Sequence, residues 1–224
     1  MKRFLKAVLS CCLVSMLSVV NINDAKALDN GVTLRELVKS GEIDLKSLDM
    51  QKEYSLDAAT AAVVSIYSSS NGPASSTNTS GHSWIVIDNY STSRNYGSYV
   101  VGANQSISMG TWGNKGYNGI WYNLESSYRT SYPSNQTFYA KTVLFTDEID
   151  SFRNALPGLN LWSLTKNCST FAVRAWNNTG ATNISLASVE TPSTLMNKIN
   201  SISGARVGTS ESDFVNASKN VQHY

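Results

Sequence analysis

The chain has 224 residues and sets 18 Lys+Arg against 16 Asp+Glu. Four of those cations (Lys2, Arg3, Lys6, Lys26) and one acid (Asp24) fall in the first 27 residues, so the rest carries 14 cations against 15 anions and no basic run. Such a balance excludes partners recognised mainly by positive charge, and neither nucleic-acid nor anionic-lipid binding is expected.

Lys2, Arg3 and Lys6 precede an apolar run over residues 7–20, and a polar stretch then ends in Ala25-Lys26-Ala27. This is the three-part layout of a Sec-type signal peptide cut after Ala27, which predicts a secreted or cell-envelope protein. The apolar run is shorter than the roughly 20 residues of a spanning helix, so no stable membrane insertion is expected after cleavage. Cys11 and Cys12 lie in this segment, which leaves Cys168 as the one thiol of the mature chain. A disulfide framework is therefore ruled out within the chain, and a lone cysteine in an exported protein is either an intermolecular bridge or a reactive thiol. Only His82 and His223 could join Cys168 on a metal, too few for a zinc site, so no metal and no cofactor are expected.

Residues 28–67 predict a helical segment. Leu34, Leu37 and Val38 recur at helical spacing, and Ser55 precedes a stripe of Ala59, Ala62, Val63 and Ile66. Residues 68–80 are Ser, Asn, Thr, Gly, Pro and Ala and read as a linker. From residue 81 short β-branched and aromatic runs at 83–88, 97–102, 105–112, 120–125 and 137–145 predict an antiparallel sheet. Thr146 is the expected N-cap of a helix whose first turn holds Asp147 and Glu148. A second helix follows Asn167 and stops at Gly180, with Cys168, Phe171, Ala172 and Ala175 on one stripe, and Thr191-Pro192 opens a third. The polar tail 201–224 is assigned no structure. The fold class is thus α+β, with its main domain over residues 81–200.

If Asn167 caps its helix, Cys168 lies in the first turn, where free N–H groups and the helix dipole stabilise a thiolate. Against this, a free cysteine is commonly a small buried hydrophobe. His82 opens "HSWIVID" behind Gly81 and is the sole realistic base for a Cys–His pair, though a strand-end histidine is often only half solvated and idle. Trp112, Trp121 and Tyr122 in "GTWGNKGYNGIWYN" are candidates for a substrate groove or for plain sheet packing. The glycines of that stretch lack the spacing of a phosphate loop.

"GHSWIVI" followed by a sheet and then by "NCSTFAVRAW" resembles the circularly permuted branch of the papain-like cysteine hydrolases, in which the histidine strand precedes the cysteine helix. That group includes the NlpC-type cell-wall peptidases and the lecithin:retinol acyltransferase-like proteins. The resemblance implies that Cys168 is the nucleophile, His82 the general base, and a peptide or cell-wall amide the substrate. It also implies a third polar residue on the strand after the histidine. No His, Asp or Glu occurs between Asn89 and Trp112, and Ser108 is the choice there. Lipid acyl transfer on the same fold and a non-catalytic surface-binding module are the alternatives.

Overall fold

TAAVVSIYSSS, residues Thr60–Ser70, is strand β1, an interior strand of the main sheet. Ala62, Val64 and Ile66 point into the main core, while Tyr67, of opposite parity, joins a second cluster on the other face. Apolar groups on both faces and a β-branched run favour a buried strand over a helix. The helical stripe expected over Ala62, Val63 and Ile66 is therefore corrected to strand. The computed structural model describes residues 60–72, 80–208 and 221–224, within a unit spanning Ala58–Tyr224. The expected signal peptide and the expected helices before residue 60 lie outside the described residues.

The other strands are β2 (His82–Asn89), β3 (Arg94–Tyr96), β4 (Tyr99–Val101), β5 (Gln105–Thr111), β6 (Ile120–Tyr122), β7 (Gln136–Phe145), β8 (Arg206–Val207) and β9 (Gln222–His223). Seven form one antiparallel sheet in the order β8-β7-β1-β2-β5-β6-β9, and β3 and β4 form a separate hairpin. Among the described residues four α-helices complete an α+β fold: α1 (Glu125–Ser131), α2 (Thr146–Ala155), α3 (Cys168–Asn177) and α4 (Pro192–Asn200). Helices α2, α3 and α4 place Ile149, Phe152, Phe171, Ala172, Trp176, Leu195 and Ile199 in the main core on one face of the sheet. Helix α1 contributes Tyr128 to the second cluster with Tyr67, Trp84, Val86 and Tyr139.

Several expected boundaries shift. The linker expected to begin at residue 68 begins later, since Ser68 and Ser69 pair with both neighbouring strands and Ser70 with β7. The strand expected over 97–102 is half of a hairpin that turns at Gly97, whose φ is +63°. The strand expected to reach residue 125 stops at Tyr122, because Asn123 adopts φ +63° and Glu125 starts α1. In α2 Thr146 is the first helical residue, and the Glu148 carboxylate accepts the Phe145 N–H at 3.1 Å. The tail supplies edge strands β8 and β9, so the domain is wider than 81–200 at both ends.

Candidate active site

His82 is the first residue of β2, and Gly81 before it has φ +116°; a Cβ there would fall on the Ser69 carbonyl oxygen, so the close approach to β1 requires glycine. The imidazole is 3 % exposed and walled by aromatic rings. Trp112 covers it at 3.8 Å between centroids, Trp84 stacks at 5.7 Å and Tyr128 packs at 5.3 Å. Its Nε2 lies 3.2 Å from Oε1 of Glu125, the first residue of α1, whose side chain is wholly buried.

A buried carboxylate survives only where donors replace its water. Here Ser108 Oγ donates to Glu125 Oε2 at 2.5 Å and Trp112 Nε1 donates to Oε1 at 3.3 Å, in addition to the imidazole. Strand β5 makes room for this group at Gly110, where a Cβ would overlap Glu125 Oε1 and stand 2.9 Å from His82 Nε2. Ser108 faces Val86 across the β2–β5 ladder, and its parity puts it on the face that α1 covers.

Cys168 comes to the same place from the other side of the sheet. It is the first residue of α3, and Asn167 Oδ1 caps that helix by accepting the N–H groups of Ser169 and Thr170, each at 3.0 Å. The Asn167 amide nitrogen meanwhile donates to the carbonyls of Glu190 at 2.7 Å and Leu164 at 3.3 Å, pinning two loops to the helix start. The Cys168 thiol is half-buried beside the His82 ring, the Ser83 backbone and the Ser169 side chain, the groups that act on its titration. With Nε2 engaged by Glu125, Nδ1 is the ring nitrogen left for the sulfur.

Burial by itself pushes the Cys168 thiol up, but the hydrogen bond and charge of His82, with the Ser83 and Ser169 donors, carry it below its ordinary value. Burial by itself likewise holds the His82 imidazole down, but its hydrogen bonds to Cys168 and Glu125 and their negative charges push it up to about 9. Both shifts favour a thiolate–imidazolium pair with the carboxylate behind it.

Of the residues singled out from sequence, Cys168 and His82 are brought into contact. Ser108 stands one step further out, bonded to the carboxylate, and the group against the imidazole is Glu125. Glu125 closes the run "IWYNLE", which has the composition of a strand, and the "NLESS" pattern of an Asn, an acid two residues on and two serines is the local signal of a chain reversal and helix start. Trp112 lies on His82, as above. Trp121 lies away from these contacts, its ring 5.2 Å from His223 and its Nε1 donating to the Tyr117 carbonyl at 2.9 Å. Tyr122 is corrected from groove to core: it is fully buried and its hydroxyl donates to the Tyr96 carbonyl at 3.0 Å. Among the described residues no group of three or more His, Cys, Asp or Glu is placed to hold a metal ion, and no helix is long and apolar enough to cross a membrane. No protein-family model, curated protein or solved structure matches the chain.

Proposed function

We propose that the protein is an exported thiol hydrolase that cleaves amide bonds, with peptides of the cell wall or environment as the substrate class. The observation that carries the reading is the line Cys168–His82–Glu125, in which the buried imidazole hydrogen-bonds the buried Glu125 carboxylate at 3.2 Å and interacts with the half-buried Cys168 thiol so that the two shift each other's titration. The Cys168 thiolate attacks the amide carbonyl, forming the C–S bond and moving the carbonyl electron pair onto oxygen. The Asn167 cap occupies the Ser169 and Thr170 N–H groups, so the Cys168 N–H at the positive end of α3 is the backbone donor left for that oxyanion. Collapse of the intermediate breaks the C–N bond, and the His82 imidazolium gives its proton to the departing amine. Water then attacks the thioester while His82 takes a proton back, and the carboxylic acid leaves.

Glu125 holds the imidazole in the orientation and tautomer both half-reactions need, and it stabilises the imidazolium between them. An antiparallel sheet with the histidine strand before the cysteine helix supports a permuted papain-like arrangement. The test is release of new amino groups from a mixture of cell-wall stem peptides by the purified mature protein. Turnover is expected for the wild type and lost in Cys168→Ala and His82→Ala with circular dichroism unchanged; turnover retained by Cys168→Ala would overturn the reading.

A further inference from the structure

Lys115 is an exposed cation one ring away from the candidate base. Its Nζ lies 6.0 Å from the centroid of the half-buried Trp112 ring, and that ring lies on the His82 imidazole at 3.8 Å between centroids. The two distances set the ammonium no farther than about 10 Å from the imidazole, a range over which charges still act on each other at physiological salt.

The loop that carries Lys115, residues 112–119 between β5 and β6, is tied down. The Trp162 N–H donates to the Asn118 carbonyl at 3.1 Å, and the Trp162 ring packs so closely on Gly113 that a Cβ there would overlap it. The Asn160 amide nitrogen donates to the Tyr117 hydroxyl at 2.6 Å while its Oδ1 accepts the Ile120 N–H at 2.8 Å. Asn160 and Trp162 belong to the segment that leads into Cys168, and this segment brings a second exposed cation, Lys166, two residues before the sulfur. Its backbone is closed onto Ser163, each N–H donating to the other's carbonyl at 3.1 Å.

Residues 112–119 and 160–167 contain these two lysines and no Asp or Glu. Among the described residues neither lysine forms an ion pair. The nearby carboxylates are engaged elsewhere: Glu125 by His82, Ser108 and Trp112, and the wholly buried Glu190 by Lys198 at 2.5 Å. The Trp112 contact lies at the outer edge of a cation–π interaction and leaves the ammonium its three donors. A fixed cation without a counter-charge beside a reactive pair attracts anions to that pair.

We infer that Lys115 is a specificity residue that receives a carboxylate of the substrate, so that the preferred substrate is a peptide with a free carboxylate close to the cleaved amide. A lysine acts there as a point charge and recognises the anion without demanding a bidentate geometry. Lys166 adds charge of the same sign. The substrate in this inference rests on the hydrolase reading, but the field at Cys168 is measurable without turnover.

Iodoacetate and iodoacetamide alkylate the single thiol of the mature chain by the same attack and differ in charge. At one pH near neutral the ratio of their rates therefore reads the field at the sulfur and cancels any change in thiolate population. In Lys115→Gln the iodoacetate-to-iodoacetamide ratio is expected to fall about two- to fivefold at low salt, the scale of an exposed charge pair, and in Lys115→Glu further. The difference should vanish near 1 M salt, where the screening length is about 3 Å. Lys141→Gln removes the same charge from beside Tyr139 on β7, 5.8 Å from that ring, and should leave the ratio unchanged. With stem peptides presented in pairs, free carboxylate against its carboxamide, wild-type kcat/KM is expected to favour the carboxylate about two- to fivefold. That preference is lost in Lys115→Gln and reversed in Lys115→Glu.

A structural role for Lys115 would slow both reagents and both peptides alike. A ratio unchanged in Lys115→Gln, or one that falls equally in Lys141→Gln, would overturn the inference, as would equal kcat/KM for carboxylate and carboxamide. A ratio that falls in Lys115→Gln alone while neither peptide form is cleaved would uphold the anion site and remove the hydrolase; cleavage with neither effect would do the reverse.

Discussion

Glu125 Oε1 stands 3.2 Å from His82 Nε2, although 43 positions separate the two residues and they open different elements, α1 and β2. The carboxylate is wholly buried and the imidazole nearly so, and Ser108 and Trp112 supply the remaining donors. A buried charge is kept by its partners, so removing the charge while keeping the shape is the sharpest probe of what it does.

Glu125→Gln keeps the volume but removes the negative charge that raises His82. The His82 value falls from about 9 toward the ordinary imidazole range. Cys168, the stronger of the two groups that raise His82, remains, so the imidazolium is weakened, and an amide hydrogen turned toward Nε2 would favour the wrong tautomer. Turnover is expected to fall on the order of 10²–10⁴-fold, the range of a misdirected general acid–base group. Iodoacetamide alkylation near neutral pH slows as well. Unchanged rates in a folded Glu125→Gln variant would remove Glu125 from the mechanism.

The same carboxylate shows what the sequence made legible and what it hid. Asn167 as a cap, Gly180 beyond the end of α3 and Pro192 at the start of α4 are local signals, and local physics decides them: side-chain oxygens on N–H groups, a positive φ of 72° at Gly180, a ring that needs no donor. The meeting of Cys168 and His82 also followed from having one thiol and one usable base. Residues 60–67 carry a helical signal because Ala62, Val63 and Ile66 fit a 3.6 period as well as a two-sided strand, and only pairing to β2 and β7 separates the two. Glu125 was hidden because its role depends on α1 folding back over β5, a non-local contact that no spacing encodes.

Gly110→Ala tests that non-local fit from the strand side. The added methyl would overlap Glu125 Oε1 and approach His82 Nε2 to 2.9 Å. Neither can retreat, since Glu125 is tied to Ser108 and Trp112 and the imidazole is enclosed by Trp84, Trp112 and Tyr128. Overpacking of this kind costs on the order of 1–3 kcal/mol, read as a lower urea midpoint with the slope preserved. Because the displaced atoms are those of the relay, turnover should fall by more than the loss of folded protein explains. A Gly110→Ala protein of wild-type stability and activity would mean that Glu125 has another place to go.

The pH dependence follows from the two opposed shifts. His82, raised from 6.5 to about 9, contributes stability that is fully present below about 6.5 and is lost as pH rises through about 9. Cys168, lowered from 9.0, contributes stability that is present above that value and is lost as pH falls through its depressed value. In the part of the range from about 6.5 to 9 that lies above the depressed Cys168 value, the folded pair and the unfolded residues hold the same number of protons, so this pair leaves unfolding free energy almost flat there. The chemistry is not flat. Alkylation needs only the thiolate, so its rate rises at a pH below the ordinary thiol range and stays high above pH 9. Amide cleavage also needs the His82 proton for the leaving amine, so it falls as that proton is lost near 9. The two profiles should coincide on the acid limb and separate on the alkaline one. Peptide hydrolysis that follows alkylation past pH 10 would show that the amine receives its proton from some group other than His82.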